Sequence, residues 1–160
     1  LGFRSPTTTD LDRSTAKKLA EDLKIDVQYF ASELFKAKSD VSKYTDPELI
    51  LMDSKKYDVG GKKLRISVME TTQPQEILGR KKSLLKAMKD IEAEEGVDQI
   101  LFFVIDILKQ EAILFVPNKL VKEIAEKSFG TSCVEDTTIL PGILSRKKQI
   151  IPQLLSLIHI

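Results

Sequence analysis

Ser145, Arg146, Lys147, Lys148 and Gln149 follow a Pro141-Gly142 turn, and no acidic residue occurs from Thr137 to Ile160. Adjacent cations with no local counter-charge imply a negative ligand or partner. Arginine offers a planar fork of donors and lysine a compact charge, and phosphate oxygens reward having both within one short segment. On composition alone, a charge run of this kind is more often a solvated face. If Ser145 caps a following helix, the backbone N–H groups of the first turn and the side chains of Arg146 and Lys147 point toward one anion. The other chemically capable residues are read as structural. Lys36 and Lys38 stand near the end of a helical stretch, where cations suit the helix dipole. Asp106 ends an apolar run and Asp136 precedes Thr137, positions where aspartate accepts backbone N–H groups in turns. His159 is the one imidazole and Cys133 the one thiol, so these residues supply no multi-His or multi-Cys metal site and no internal disulfide. Cys133 reads as a small buried apolar residue. Gly60-Gly61-Lys62 lacks the spacing of a phosphate-cradling loop, and no helix follows it directly.

The elements that must position these groups are written in the periodicities. Thr9 followed by Asp10 and Asp12 starts a helix, with Leu11, Thr15, Leu19 and Leu23 at four-residue spacing. A second helix begins near Asp26, has Val27, Phe30, Leu34 and Phe35 on one face, and carries Lys36 near its end. Asp46-Pro47-Glu48 gives a cap, a helix-starting proline and an acid, which predicts a short helix to about Met52. Lys56 to Val59, Gly60-Gly61 and Lys62 to Thr71 form a hairpin, with Leu64, Ile66 and Val68 buried and the alternating Arg65 and Ser67 solvated. Pro74 to Glu95 reads as one long helix with Ile77, Leu84, Leu85, Met88 and Ile91 as its stripe and Gly96 as its stop. Ile100 to Ile105 is apolar on both faces, as a covered central strand requires, and Glu111 to Val116 is its neighbour across a polar turn at Lys109-Gln110. Asn118 caps a helix over Lys119 to Ser128 that Gly130 stops, and Cys133-Val134 and Thr137 to Leu140 are short extended pieces. Ile150, Ile151, Leu154, Leu155 and Ile158 fit one helical face that Pro152 must kink. The fold class is α/β, a single domain with a mixed β-sheet flanked by α-helices.

Composition narrows the function classes. The chain has 160 residues, 42% of them hydrophobic and 31% charged, enough for a core without disulfides. A net charge of +1 is no global grip on nucleic acid, so no nucleic-acid partner is expected. The apolar runs are far shorter than the roughly 20 residues that span a bilayer, and no membrane partner is expected either.

The segment Leu144-Ser145-Arg146-Lys147-Lys148-Gln149-Ile150-Ile151-Pro152 resembles the signature of the C-terminal domain of family II, manganese-dependent inorganic pyrophosphatases, members of the DHH phosphoesterase superfamily. Leu34-Phe35-Lys36-Ala37, followed by Asp40 and Ser42, is similar to the family's segment carrying a phosphate-binding lysine. Gly61 to Ile66, Ala93 to Asp98 and Thr137 to Gly142 fall where that domain has similar segments, and the likeness covers most of Thr9 to Leu155. Lys38 departs from it, standing where the family commonly has glycine.

The resemblance implies a function and a division of labour. Residues 9–155 would be a substrate-binding domain, residues 1–8 a connector from an N-terminal metal-binding DHH domain, and residues 156–160 a tail of non-native character. Arg146 and Lys147 would be catalytic as well as substrate-binding, the first clamping phosphate oxygens and the second neutralising charge, with Lys36 completing the pocket. This chain would bind no metal alone; Mn²⁺, or Mg²⁺ or Co²⁺, would sit on the DHH domain, and the isolated chain would be inactive. The complete enzyme, a cytoplasmic homodimer, would hydrolyse pyrophosphate to two phosphates. Two alternatives stay open: a related exopolyphosphatase or Prune-like phosphoesterase, against which Gln149 favours pyrophosphatase, and a non-catalytic phosphate- or nucleotide-responsive module.

Overall fold

A computed structural model describes residues 8–133 and 135–156, with the side chains of Phe35, Lys36, Lys38 and Ser39 outside the description. The chain falls into two compact units, Leu1–Asp40 and Val41–Ile160. The first holds α1 (Asp10–Leu23) and α2 (Val27–Ser39). Thr9 and Asp12 close a reciprocal capping box at the start of α1, and Asp26 caps α2 by accepting from the N–H groups of Gln28 and Tyr29. Both helices start where the polar-then-apolar pattern predicts.

The second unit is built on a five-stranded sheet in the order β1 (Ser54–Val59), β2 (Lys62–Thr71), β3 (Gln99–Asp106), β4 (Glu111–Phe115), β5 (Thr137–Pro141). Neighbouring pairs are antiparallel except β2 and β3, which run parallel and are joined through α4 (Pro74–Gly79) and α5 (Lys81–Glu95). A parallel pair needs such a crossover, because a tight turn cannot return the chain to the same end of the sheet. Gly60 and Gly61, both at positive φ, make the β1–β2 turn, which side-chain-bearing residues rarely tolerate.

Each face of the sheet has its own core. One gathers Leu64, Ile66, Val68, Leu101, Phe103 and Leu114 beneath α6 (Lys119–Phe129) and the C-terminal segment, with Cys133 buried among them. The other packs Met69, Ile100, Phe102, Val104 and Phe115 against α3 (Asp46–Leu51), α4 and α5. This is the mixed sheet flanked by helices that the alternation of periodicities implies. Among the described residues, no helix is long and apolar enough to cross a membrane.

Three local expectations are corrected. The cap of α3 is Thr45, one residue before the predicted Asp46, because its hydroxyl and the Glu48 carboxylate satisfy each other's backbone N–H. Pro74 to Glu95 is two helices broken at Arg80, whose guanidinium turns away to bond the Asp46 carboxylate and the carbonyls of Val41 and Tyr44. Arg65 and Ser67, expected in solvent, are buried, because β2 lies inside the sheet with helices over both its faces. Arg65 is compensated by Glu95 at the end of α5 and by the Ser54 hydroxyl at 2.6 Å.

Candidate functional site

The Ser145 to Gln149 segment folds into a π turn, Arg146–Ile150, that runs into α7 (Ile151–Leu155). Ser145 caps it as expected, accepting from the Lys148 N–H at 3.2 Å. The Ser145 carbonyl accepts from both Gln149 and Ile150, and Ile151 N–H reaches back to the Arg146 carbonyl, so the turn is one residue wider than an α-helix. Pro152 then stands near the start of α7, where a missing N–H does no harm. The predicted kink is thus a widened turn ahead of the proline. Ile150 and Leu154 are fully buried and anchor it to the sheet.

Gln149 knits the turn together. Its Oε1 accepts from the N–H groups of Leu144 and Ser145 at 2.9 and 3.0 Å, and its Nε2 donates to the Gly142 carbonyl at 2.7 Å. Gly142 takes a positive φ and donates to the Gln110 carbonyl, which ties the approach to the β3–β4 turn.

Two of the three predicted site residues are brought together by this turn. Lys147 is exposed and, like Lys148, makes no ion pair among the described residues. Arg146 behaves differently. Its Nη1 donates to the Asp53 carbonyl and its Nη2 pairs with Asp53 Oδ1, both at 2.8 Å, leaving the side chain 15% exposed. Asp53 lies 93 residues away, just ahead of β1. The absence of acids around the cation run therefore holds only along the sequence; in the fold one of the three charges has a counter-ion. No local signal points to Asp53, which meets Arg146 only in the fold.

Lys36 stands in the last turn of α2, in the Leu1–Asp40 unit, whereas Arg146 and Lys147 belong to the other. Its side chain lies outside the described residues, as do His159 and the expected connector Leu1 to Thr7.

Of the two aspartates read as structural, Asp106 makes the expected turn contacts and Asp136 an ion pair instead. Asp106 is buried and accepts from the N–H groups of Leu108 and Lys109 at 2.9 and 3.0 Å. Asp136 pairs with Lys81 at 2.7 Å, a partner the sequence does not indicate. Among the described residues, no three His, Cys, Asp or Glu side chains gather into a set that could hold a metal ion. The described donor set does not fit a manganese cluster.

Electrostatic perturbations lie elsewhere. Hydrogen bonds from Arg65 and then Lys56 hold Glu95 below the usual carboxylate range. Burial pushes Glu92 up, against the opposing bond from the Ile100 N–H. These carboxylates fasten α5 to the sheet.

Comparison with known proteins follows the same lines. The DHHA2 domain family matches residues 32–157. The manganese-dependent inorganic pyrophosphatase of Methanocaldococcus jannaschii is 40% identical over 153 residues, 95% of this chain and 49% of that protein. That of Bacillus subtilis is 35% identical over the same extents. The chain thus spans about half the length of the curated relatives it matches. A crystal structure of a Methanococcus jannaschii protein described as a family II inorganic pyrophosphatase superposes with a TM-score of 0.75 at 39% identity, over 98% of this chain and 51% of that one. With a match over most of its length and the same fold, the chain belongs to the DHHA2 domain family.

Proposed function

We propose that this chain is the substrate-binding part of a manganese-dependent inorganic pyrophosphatase, with Arg146, Lys147 and Lys36 holding the phosphate groups of pyrophosphate. One observation carries the reading: a turn knitted by Gln149 and anchored by Ile150 presents Lys147 and the partly exposed Arg146 side by side, in a domain whose relatives bear that name. Hydrolysis of pyrophosphate spreads negative charge over the transferred phosphoryl group and the leaving phosphate, so fixed cations stabilise the reacting state more than the ground state. Arg146 supplies donors in a plane, suited to two oxygens of one phosphate. Lys147 supplies a movable point charge, and Lys36 would add a third cation. Metal ions, when bound, supply hydroxide at neutral pH. They would be held by a DHH domain outside this chain, since no described group of residues here fits them.

On the same reading, residues 9–155 act as the substrate domain, residues 1–8 as its connector and 156–160 as a tail, and the complete enzyme is a cytoplasmic homodimer. These points rest on the family likeness alone.

Two measurements test the proposal. Purified chain with Mn²⁺ or Mg²⁺ should release no phosphate from pyrophosphate, and measurable turnover would sink the division of labour. A crystal structure with pyrophosphate should show Lys36, Arg146 and Lys147 on the same ligand. Lys36 on an opposite face would remove it from the site.

A further inference from the structure

Arg146 is not a free cation waiting for an anion. Its guanidinium is held by one residue, through a hydrogen bond from Nη1 to the Asp53 carbonyl and an ion-pair contact of Nη2 with the Asp53 carboxylate, both at 2.8 Å. The anchor is itself fixed, because the same Asp53 carbonyl accepts the Val68 N–H at 2.9 Å and so belongs to the sheet framework. The carboxylate is 60% exposed against 15% for Arg146, so the pair sits with its acid toward solvent. An arginine carries five N–H donors. One is spent on the Asp53 carbonyl, and the Nε–H has no hydrogen-bond partner among the described residues. The Nη groups therefore face Asp53, while the Nε–H is not used by the protein.

We infer that Asp53 is a positioning residue for Arg146, which fixes the guanidinium plane so that its Nε–H faces the anion. The inference rests on the reading of Arg146 as a phosphate ligand. A long side chain loses much rotational freedom when it is held, and a ligand that meets an already oriented fork does not bear that cost. An acid beside a cation also lowers the local positive potential, which opposes anion binding. The carbonyl of residue 53 and the oxygen of the side chain supply orientation, whereas only the carboxylate charge supplies the opposing field. Orientation and charge can therefore be separated by substitution: Asp53→Asn keeps an oxygen acceptor and removes the charge, and Asp53→Ala removes both and leaves the main-chain bond.

The test uses the 160-residue chain and inorganic pyrophosphate, with affinity measured by calorimetry or by titrating the arginine Nε–H signals in an ¹⁵N NMR spectrum. Asp53→Ala should weaken binding about tenfold and broaden or shift the Arg146 Nε–H signal, while Asp53→Asn should bind within about twofold of the wild type or tighter. On an Arg146→Ala background, Asp53→Ala should change affinity no further, since its whole effect passes through Arg146. Thermal melts of each variant separate a loss of folding from a loss of orientation. Wild-type affinity for Asp53→Ala overturns the inference, as does tighter binding by it, which would make Asp53 a competitor. An equal loss with and without Arg146 also overturns it. Wild-type affinity for Arg146→Ala, or no pyrophosphate binding by any variant, overturns the site reading itself and this inference with it.

Discussion

Two arginines are gripped by adjacent residues at the start of β1, and they do different work. Arg65 bonds Ser54 and the Glu95 carboxylate from within the sheet, and is 11% exposed. Arg146 bonds Asp53 and is nearly as covered, at 15%. Burial of the cation alone does not separate a structural guanidinium from a ligand-binding one. The partner does. Glu95 is itself largely covered, is shared with Lys56 at 2.9 Å, and seals the end of α5 onto β2. Asp53 is mostly in solvent, and no second cation pairs with it among the described residues. Arg65 also keeps a buried Nε without a partner, so it is the exposure of the partner carboxylate, and not the number of unused donors, that separates the two corners.

The largest effect on folding should come from breaking the sealed pair. Glu95→Ala leaves Arg65 charged and nearly covered with only Ser54 for company, and should destabilise the chain by about 2–3 kcal/mol in urea titrations, below the full penalty for a buried pair because Glu95 keeps some solvent. Asp53→Ala should cost under about 1 kcal/mol, since its carboxylate is mostly exposed. Equal losses would erase the distinction between the two corners.

Acid sharpens the same comparison. The folded state holds Glu95 below its ordinary 4.5, so the stability it lends is fully present above that value and is lost as pH falls through the depressed folded value. Glu92 is raised, so its ionised form is disfavoured in the fold and stability should rise as pH falls through its folded value toward 4.5. Melting midpoints followed from neutrality to about pH 3 should therefore fall chiefly below 4.5, and Glu95→Gln should flatten that fall. An unchanged acid limb in Glu95→Gln would assign the loss to other carboxylates.

Chelation gives the smallest expected change. The described residues hold no metal-binding group and both cores are apolar, so EDTA should leave the circular dichroism and melting midpoint unaltered. A large loss of helical signal would show a structural metal that the account lacks.

Much of this architecture is legible in the sequence, and the parts that are not share a cause. Gly96 and Gly130 stop helices at positive φ, Asn118 caps α6, and the alternating and continuous apolar runs separate hairpin from central strand. Each signal is local. The break at Arg80 is not, because it is enforced by Asp46 and by carbonyls over thirty residues distant. The burial of Arg65 and Ser67 likewise follows from what covers β2, which its own alternation does not encode. At the site, Ser145 as cap and the exposure of Lys147 and Lys148 could be read from the segment itself. Asp53 could not, since a counter-ion 93 residues distant leaves no trace near Arg146. Gln149 was visible as part of the family motif, but its task of tying the Leu144, Ser145 and Gly142 backbone appears only in the fold.

The most direct test of the central claim is steady-state hydrolysis of pyrophosphate by this chain joined to a metal-binding DHH domain, comparing wild type with Arg146→Lys and Lys148→Ala. Lysine keeps the charge of residue 146 but cannot offer two parallel donors, so kcat and kcat/KM should both fall by about tenfold or more, the pattern of a contact made in the transition state. Lys148→Ala should stay within about twofold, as an exposed charge at the edge of the turn. Wild-type kinetics for Arg146→Lys, or a rise in KM alone, would contradict the account and leave the Ser145 to Gln149 turn as a basic surface with no part in the chemistry.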